Sequence, residues 1–248
     1  MKTMGSGTEK IEEELALMLP DVKIKRMDLD TTRSKYAYQD IIDDFSRGKI
    51  DVLIGTQMVS KGLDFEHVRL VGVFDADRMI HFPDFRSHER AFQLITQVSG
   101  RSGRKHNRGL VMIQTSDPAQ PILHHIKEGH LDLFYEQELQ ERQSFKYPPY
   151  YRIIKIVFRH KDAPTANQAA MRYYVLIRSS LGEQRILGPI EPTISKIRNY
   201  YIYEILIKVE KNVKNLKAIK EFLIGTKDTL LALPDFKSVL IHFDVDPV

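Results

Sequence analysis

The chain has 248 residues, of which 42% are apolar and 28% charged, enough apolar content for one or two packed domains. It contains no cysteine, which excludes disulfides and thiolate-held zinc from this sequence, and its nine histidines lack HExxH-type spacing, so no metal site is expected. No apolar run is long enough to span a bilayer and no signal-peptide pattern opens the chain, so a cytoplasmic protein without membrane contact is expected.

The net charge of +4 is unevenly spread: residues 146–248 carry 17 Lys and Arg against 10 Asp and Glu, a net +7, while the remainder is slightly acidic. A basic C-terminal part fits contact with a polyanion, or a charged surface that only keeps the protein soluble.

In chain order, Ser6 or Thr8 is placed to cap a helix in which Ile11, Leu15, Met18 and Leu19 repeat at helical spacing. Val22–Asp28 reads as a strand, Tyr36–Arg47 as a helix with Ile41, Ile42 and Phe45 inward and Gly48 at its end, and Asp51–Thr56 as a strand stopping on Gly-Thr. Leu70–Phe74 is a strand ending at Asp75-Ala76-Asp77. Arg86–Val98 is a helix, Gly109–Thr115 a strand, and Ile122–Lys127 and Leu131–Phe145 are helices. Such alternation implies crossover connections and a mostly parallel α/β sheet, with ligands at the carboxyl ends of the strands. The loops Gly55–Asp64 and Asp75–Arg86 fall at those ends, whereas Gly100–Arg104 follows a helix. On a helix, the adjacent His124 and His125 would point in different directions.

Tyr147-Pro148-Pro149-Tyr150 marks a boundary, because two prolines favour an extended linker. The expected domains are therefore 1–146 and 147–248. In the second, Arg152–Arg159, Arg185–Ile190, Ile202–Val209 and Val239–Phe243 read as strands, with helices at Ala166–Leu181 and along Val213, Leu216, Ile219 and Leu223. The order βαββαβ is the ferredoxin-like plan, a small α+β fold that hosts unrelated functions.

Two runs carry chemistry. In Gly55–Phe65 (GTQMVSKGLDF) a strand end opens into a polar loop where Gly62 permits close backbone approach before Asp64. This loop either offers N–H groups and a hydroxyl to a phosphate or simply turns the chain with Lys61 in solvent. In Gln97–Arg104 (QVSGRSGR) two arginines stand three apart at a helix end. They form either a solvated basic turn or a pair aimed at a transferring phosphoryl group, for which the rigid guanidinium fork is suited.

Together, about 35 residues apart, these runs resemble motifs five and six of superfamily 2 helicases. The surrounding words GTEKIEEEL, DTTRSK, IGTQMVSKGLDFEHVRLVGVFDAD, PDFRSHERAFQLITQVSGRSGR, QTSDP, FYEQELQERQSFKYPPYYR and DVDP resemble the PriA family, primosomal protein N prime, in the right order over nearly the whole chain. The weakest stretch is Lys161–Lys237, carried by its strand pattern and by LGPIEPTISKIRNYY.

The resemblance implies the second RecA-like lobe and C-terminal domain of an ATP-driven 3′-to-5′ DNA helicase of the bacterial cytoplasm, associated with the nucleoid. Such a helicase recognises stalled forks and assembles the primosome for replication restart. By position, Gly62, Asp64, Gln97, Arg101 and Arg104 would line the ATP cleft, with Arg101 and Arg104 acting on the phosphates and Arg104 as the arginine finger. Arg86 is a further cleft candidate, or a residue that only starts its helix. Thr56, Gln57 and Lys61 would couple the cleft to the DNA backbone. In the C-terminal domain, Lys196, Arg198, Tyr200 and Tyr201 form a basic-aromatic loop that would contact DNA, phosphate meeting the cations and bases stacking on tyrosine; alternatively the two tyrosines lie on opposite strand faces and one packs. Lys208, Lys211, Lys214, Lys217 and Lys220 form either a phosphate rail or, since a spacing of three drifts around a helix, a solvated face. The implied partners are forked, branched and single-stranded DNA, other primosome proteins and single-stranded-DNA-binding protein.

The sequence has no GxxxxGK[ST] loop and no DExH-type acidic run, so ATP–Mg²⁺ would be held mainly by a first lobe. The family's zinc module would precede the GTE stretch, making this chain a fragment inactive by itself. The competing expectation is a non-catalytic DNA- or partner-binding module on a helicase-like scaffold, which would have no use for an intact Arg101/Arg104 pair with Asp64.

Overall fold

The structure is a computed structural model, and it describes residues 7–28, 35–56, 67–100, 109–213 and 216–247, with the Lys35 side chain excepted. The chain forms two compact units, Met1–Tyr135 and Glu136–Val248.

In the first unit, helix α1 (Thr8–Met18) precedes strand β1 (Ile24–Met27), helix α2 (Lys35–Ser46) and strand β2 (Val52–Gly55). β1 and β2 pair in parallel, Ile24 opposite Val52 through Met27 opposite Gly55. Met27 and Ile41 are buried between this pair and α2, with Ile42, Phe45 and Leu53 packed around them. α1 departs from expectation: it buries no residue, and Met18 is 75% exposed. Its N-cap is Gly7, which has no side chain to cap with. Thr8 instead donates its hydroxyl to Asp28 Oδ2 at 2.8 Å. Charge draws α1 to β1, since the Arg26 guanidinium lies 3.4 Å from Glu12 and 3.3 Å from Asp28.

Strand β3 (Leu70–Val73) pairs in parallel with β4 (Leu110–Ile113). Among the described residues the parallel strands thus form two separate two-stranded pairs rather than one continuous sheet. Between β3 and β4 lie a one-turn helix α3 (Ala76–Ile80), which periodicity does not reveal, and α4 (Ser87–Ser99). Helices α5 (Pro121–Glu128) and α6 (Leu131–Ser144) follow. Ala91, Phe92 and Ile95 of α4 meet Ile80, Ile122 and Phe134 in one apolar cluster, where the Phe92 and Phe134 rings stack at 4.3 Å.

The second unit contains β5 (Tyr151–His160), α7 (Ala163–Leu181), β6 (Ile186–Ile190), β7 (Lys196–Ile197), β8 (Tyr200–Glu210), α8 (Leu216–Leu231) and β9 (Leu240–Val245). The sheet runs β6-β8-β5-β9 with antiparallel pairing throughout, and the short β7 also pairs with β8. Asp162 caps α7, accepting from Thr165 N–H at 3.0 Å, and Pro164 sits in the first turn where its missing N–H costs nothing. Alternation puts Ile154, Ile156 and Phe158 of β5 beside Ile205, Ile207 and Val209 of β8 on one face, buried against Tyr173 and Ile177 of α7 and Leu223 and Leu230 of α8. The Tyr173 hydroxyl donates to the Leu223 carbonyl at 2.7 Å, joining the two helices inside this core.

Candidate nucleotide and nucleic-acid sites

In the first unit, β2 delivers Thr56 to solvent at its carboxyl end. The residues expected to follow it in the site, Gln57, Lys61, Gly62 and Asp64, lie outside the described residues, as do Arg101 and Arg104. Gln97 is described. It is exposed near the end of α4, about 200° around the helix from Ile95 by the 3.6-residue turn, so it faces away from the buried stripe. Gly100 closes that helix, its N–H bonded to the Thr96 carbonyl at 3.0 Å. Arg86 stands at the N-cap position of α4, its guanidinium 4.6 Å from the Phe85 ring centroid and its N–H bonded to Asp84. Asp84 also meets Arg90 at 3.1 Å, so this turn is a built helix start.

One cluster at the strand ends escaped the sequence reading. Asp75 follows β3 in the left-handed region at φ 52°, and its N–H donates to the Gln114 side chain. Two residues on, the Asp77 carboxylate accepts from the Thr115 hydroxyl at 2.6 Å and from the Ser116 N–H at 2.7 Å. Those donors, Thr115 first, hold the Asp77 carboxyl down at about 2. His81 and Gln120 meet at 2.9 Å across the same pair of loops. The carboxyl ends of β3 and β4, where an α/β sheet presents its ligand loops, are thus fastened together by side chains. The signal was present as DAD after one strand and QTSD after the next, but only the parallel register brings them together.

The His124, His125 and His130 rings gather around the α5–α6 turn with centroids 6.1–6.5 Å from one another.

In the second unit, the four basic-aromatic candidates form the β7–β8 hairpin. Ile197 pairs with Tyr200 and Lys196 with Tyr201, leaving Arg198 and Asn199 as a two-residue turn with φ 48° and 66°. Two successive positive φ values mark the primed turn that matches strand twist, and Asn suits it. Arginine does not, so Arg198 occupies a strained position at an exposed tip. Tyr200 and Tyr201 point to opposite faces and neither is fully buried. Lys196 lies over Tyr201, its Nζ 4.5 Å from the ring centroid and 3.3 Å from the hydroxyl it donates to.

The lysine series is not one helix face. Lys208 belongs to β8 and is 7% exposed, Lys211 follows that strand, Lys214 lies outside the described residues, and only Lys217 and Lys220 are on α8. The helical spacing concealed a strand-to-helix boundary.

Residues 4–106 match the family model of the helicase conserved C-terminal domain, and residues 143–248 that of the primosomal protein N C-terminal domain. The chain is 38% identical to the replication restart protein PriA of Bacillus subtilis, over 100% of this chain and 30% of that protein. It is 38% identical to the protein of the same name from Treponema pallidum, over 98% of this chain and 36% of the relative. It is 37% identical to that of Synechocystis, over 100% and 29%. The chain therefore spans about a third of the length of these relatives.

Proposed function

The chain belongs to the PriA family of replication restart proteins, and from that premise we propose that it supplies the second motor lobe (1–146) and the C-terminal domain (147–248) of an ATP-dependent 3′-to-5′ DNA helicase that restarts stalled forks. The observation that carries this reading is the order of the two matches along one chain, the helicase conserved C-terminal domain followed by the primosomal protein N C-terminal domain. The C-terminal domain is read as ferredoxin-like, a reading supported by its β6-β8-β5-β9 order with antiparallel pairing and two helices on one face.

In this proposal Gln97, Arg101 and Arg104 reach the phosphates of ATP at the lobe's edge, and Gly62 and Asp64 line the same cleft. The donor set suits phosphate, since an exposed amide at the end of α4 is followed by two permanently charged forks. Arg104, and secondarily Arg101, stabilises the charge that develops as the γ-phosphoryl group leaves. No GxxxxGK[ST] loop occurs in the sequence, so the grip on ATP–Mg²⁺ comes from a first lobe, and this chain alone neither hydrolyses ATP appreciably nor unwinds DNA. Zinc, where the family uses it, is held outside this cysteine-free sequence. Thr56, Gln57 and Lys61 link the cleft to the DNA backbone, while Lys196, Arg198, Tyr200 and Tyr201 meet forked or single-stranded DNA. Other primosome proteins and single-stranded-DNA-binding protein complete the assembly in the bacterial cytoplasm, at the nucleoid. No described helix is long and apolar enough to cross a membrane.

The test is ATP hydrolysis by the polypeptide in which this sequence is joined to a phosphate-loop-bearing lobe, with and without forked DNA. Forked DNA should stimulate turnover, and Arg104→Ala should cut it by roughly 10³ or more. Turnover indifferent to the substitution would move the finger to Arg101. No DNA-stimulated turnover at all would leave a non-catalytic binding module as the working reading.

A further inference from the structure

The end of α5 gathers three imidazoles that the proposed motor chemistry does not use. His124 and His125 are adjacent and His130 follows five residues on, which matches no ligand spacing in the sequence. Helix termination brings them together. Gly129 takes a left-handed φ of 72°, a conformation glycine adopts without strain, and turns the chain back on the last turn of α5. The His130 N–H then donates to the His125 carbonyl at 3.0 Å, which sets the third ring beside the other two. His125 is half-buried, its ring centroid 6.2 Å from that of Phe134 in the apolar cluster, while His124 and His130 are exposed. One imidazole is thus anchored by the core and two are free to adjust towards it.

The three centroids stand 6.3, 6.1 and 6.5 Å apart with planes inclined by 54–73°, a nearly equilateral triangle of unstacked rings. The middle of such a triangle lies about 3.6 Å from each centroid, whereas an imidazole bound to zinc at about 2.0–2.1 Å has its centroid at about 3.2 Å. Closing that gap of about 0.4 Å per ring asks only for small side-chain torsions within a rotamer well. The C-terminal end of α5 adds the negative pole of a helix dipole, and the neighbouring cation, Lys127, is paired with Glu128 at 3.7 Å.

We propose that His124, His125 and His130 form a binding site for one divalent cation of the imidazole-preferring class, zinc, nickel or copper, with water in the remaining position. The site is distinct from any thiolate-held zinc, because the chain has no cysteine. A cation there ties the last turn of α5 to the residue that precedes α6, fastening the turn between two helices that share the apolar cluster around Ile122 and Phe134. Because the triangle exists only in the folded unit, binding stabilises the fold.

The experiment is isothermal titration calorimetry of the full chain with Zn²⁺ and, separately, Ni²⁺, paired with thermal melts in the same ions. The wild type is expected to bind one ion per chain at this site with a Kd of about 10 μM or below, and to melt higher when the ion is present. His124→Ala and His130→Ala, both at exposed positions, should each weaken binding by about 10-fold or more and abolish the rise in melting temperature. His125→Gln, which roughly keeps the size of the half-buried side chain, should lose the ion likewise. His88→Ala and His242→Ala, outside the triangle, should leave binding within about twofold, and circular dichroism checks that every variant is folded. Absence of saturable binding below about 100 μM overturns the proposal. So does binding that survives His124→Ala and His130→Ala, or that falls as far with His88→Ala or His242→Ala.

Discussion

Lys208 places its ammonium 3.5 Å above the centre of the Tyr147 ring and donates to the Phe145 carbonyl at 2.6 Å. A cation inside β8 thereby takes up a carbonyl just past the end of α6 and rests on the aromatic that opens the proline linker. Burial, then the charge of Lys146, pushes the Lys208 ammonium below its ordinary range. Replacing Lys208 with Ala leaves the carbonyl without its donor and is expected to destabilise the second unit by about 2 kcal/mol. Lys208→Met fills the same space and separates the packing loss from the lost donor. Urea denaturation of the full chain, followed by tyrosine fluorescence, reads both variants. Equal stability of the wild type and Lys208→Ala would show the clamp to be ornamental.

Asp77 gives the first unit an acid-sensitive joint. Its folded carboxyl sits at about 2, below the ordinary 3.8, because Thr115 and Ser116 donate to the charged form. A lowered carboxyl contributes stability that is fully present above its unfolded value and disappears as pH falls toward the folded one. The melting temperature should therefore decline between about pH 4 and pH 2 more steeply in the wild type than in Asp77→Asn. Parallel curves for the two proteins would contradict this.

At the alkaline end the buried Tyr173 hydroxyl acts with the opposite sign. Burial raises it above its ordinary value of 10.0, so the unfolded chain ionises first and stability falls as pH climbs beyond that point. Tyr173→Phe should flatten this decline, at a cost of about 1–3 kcal/mol near neutrality because the Leu223 carbonyl loses its donor. Thermal melts across pH 8–11 distinguish the two slopes.

The turn residue Arg198 predicts opposite responses in stability and binding. Arg198→Gly relieves a left-handed arginine and should stabilise the hairpin by about 1 kcal/mol. In the proposed role the same change removes a phosphate contact and weakens DNA binding severalfold. Asn199→Gly, at the neighbouring position, should leave binding unchanged. Stabilisation without loss of binding would remove Arg198 from the interface.

Gly188 tests how tightly β6 meets β8. Its φ is 100°, and a Cβ there would lie 2.7 Å from the Glu204 carbonyl oxygen. Gly188→Ala must shift the strand and is expected to cost about 2–4 kcal/mol. Solubility and melting temperature report it directly.

Most elements were legible because each has a clear period and clear punctuation. Gly48 ends α2 with a positive φ, the Tyr-Pro-Pro-Tyr linker precedes β5, and the alternation from Arg152 to Arg159 marks a strand. What escaped was set by contacts distant in sequence. α3 is a single turn, too short for periodicity to register, and it follows loops fastened to Gln114 and Thr115. β7 has two residues and exists only as the partner of β8. Met18 and Leu19 carry the right spacing to face inward, yet charge holds α1 and leaves both exposed. Lys208 reads as a surface cation unless one knows which carbonyl lies beneath it. For the candidate site, motif spacing named the residues, whereas the Asp77 cluster emerged only from strand register.

The sheet order has a consequence for how the second unit comes into being. β5 is the first of its strands to leave the ribosome, yet it lies between β8 and β9, and β9 ends at Val245. Until β9 emerges, the edge of β5 from Ile154 to Arg159, with Ile156 and Phe158 on it, has no partner. During synthesis the unit must therefore wait, exposed to β-pairing with other nascent chains, for its fifth strand to shield its first.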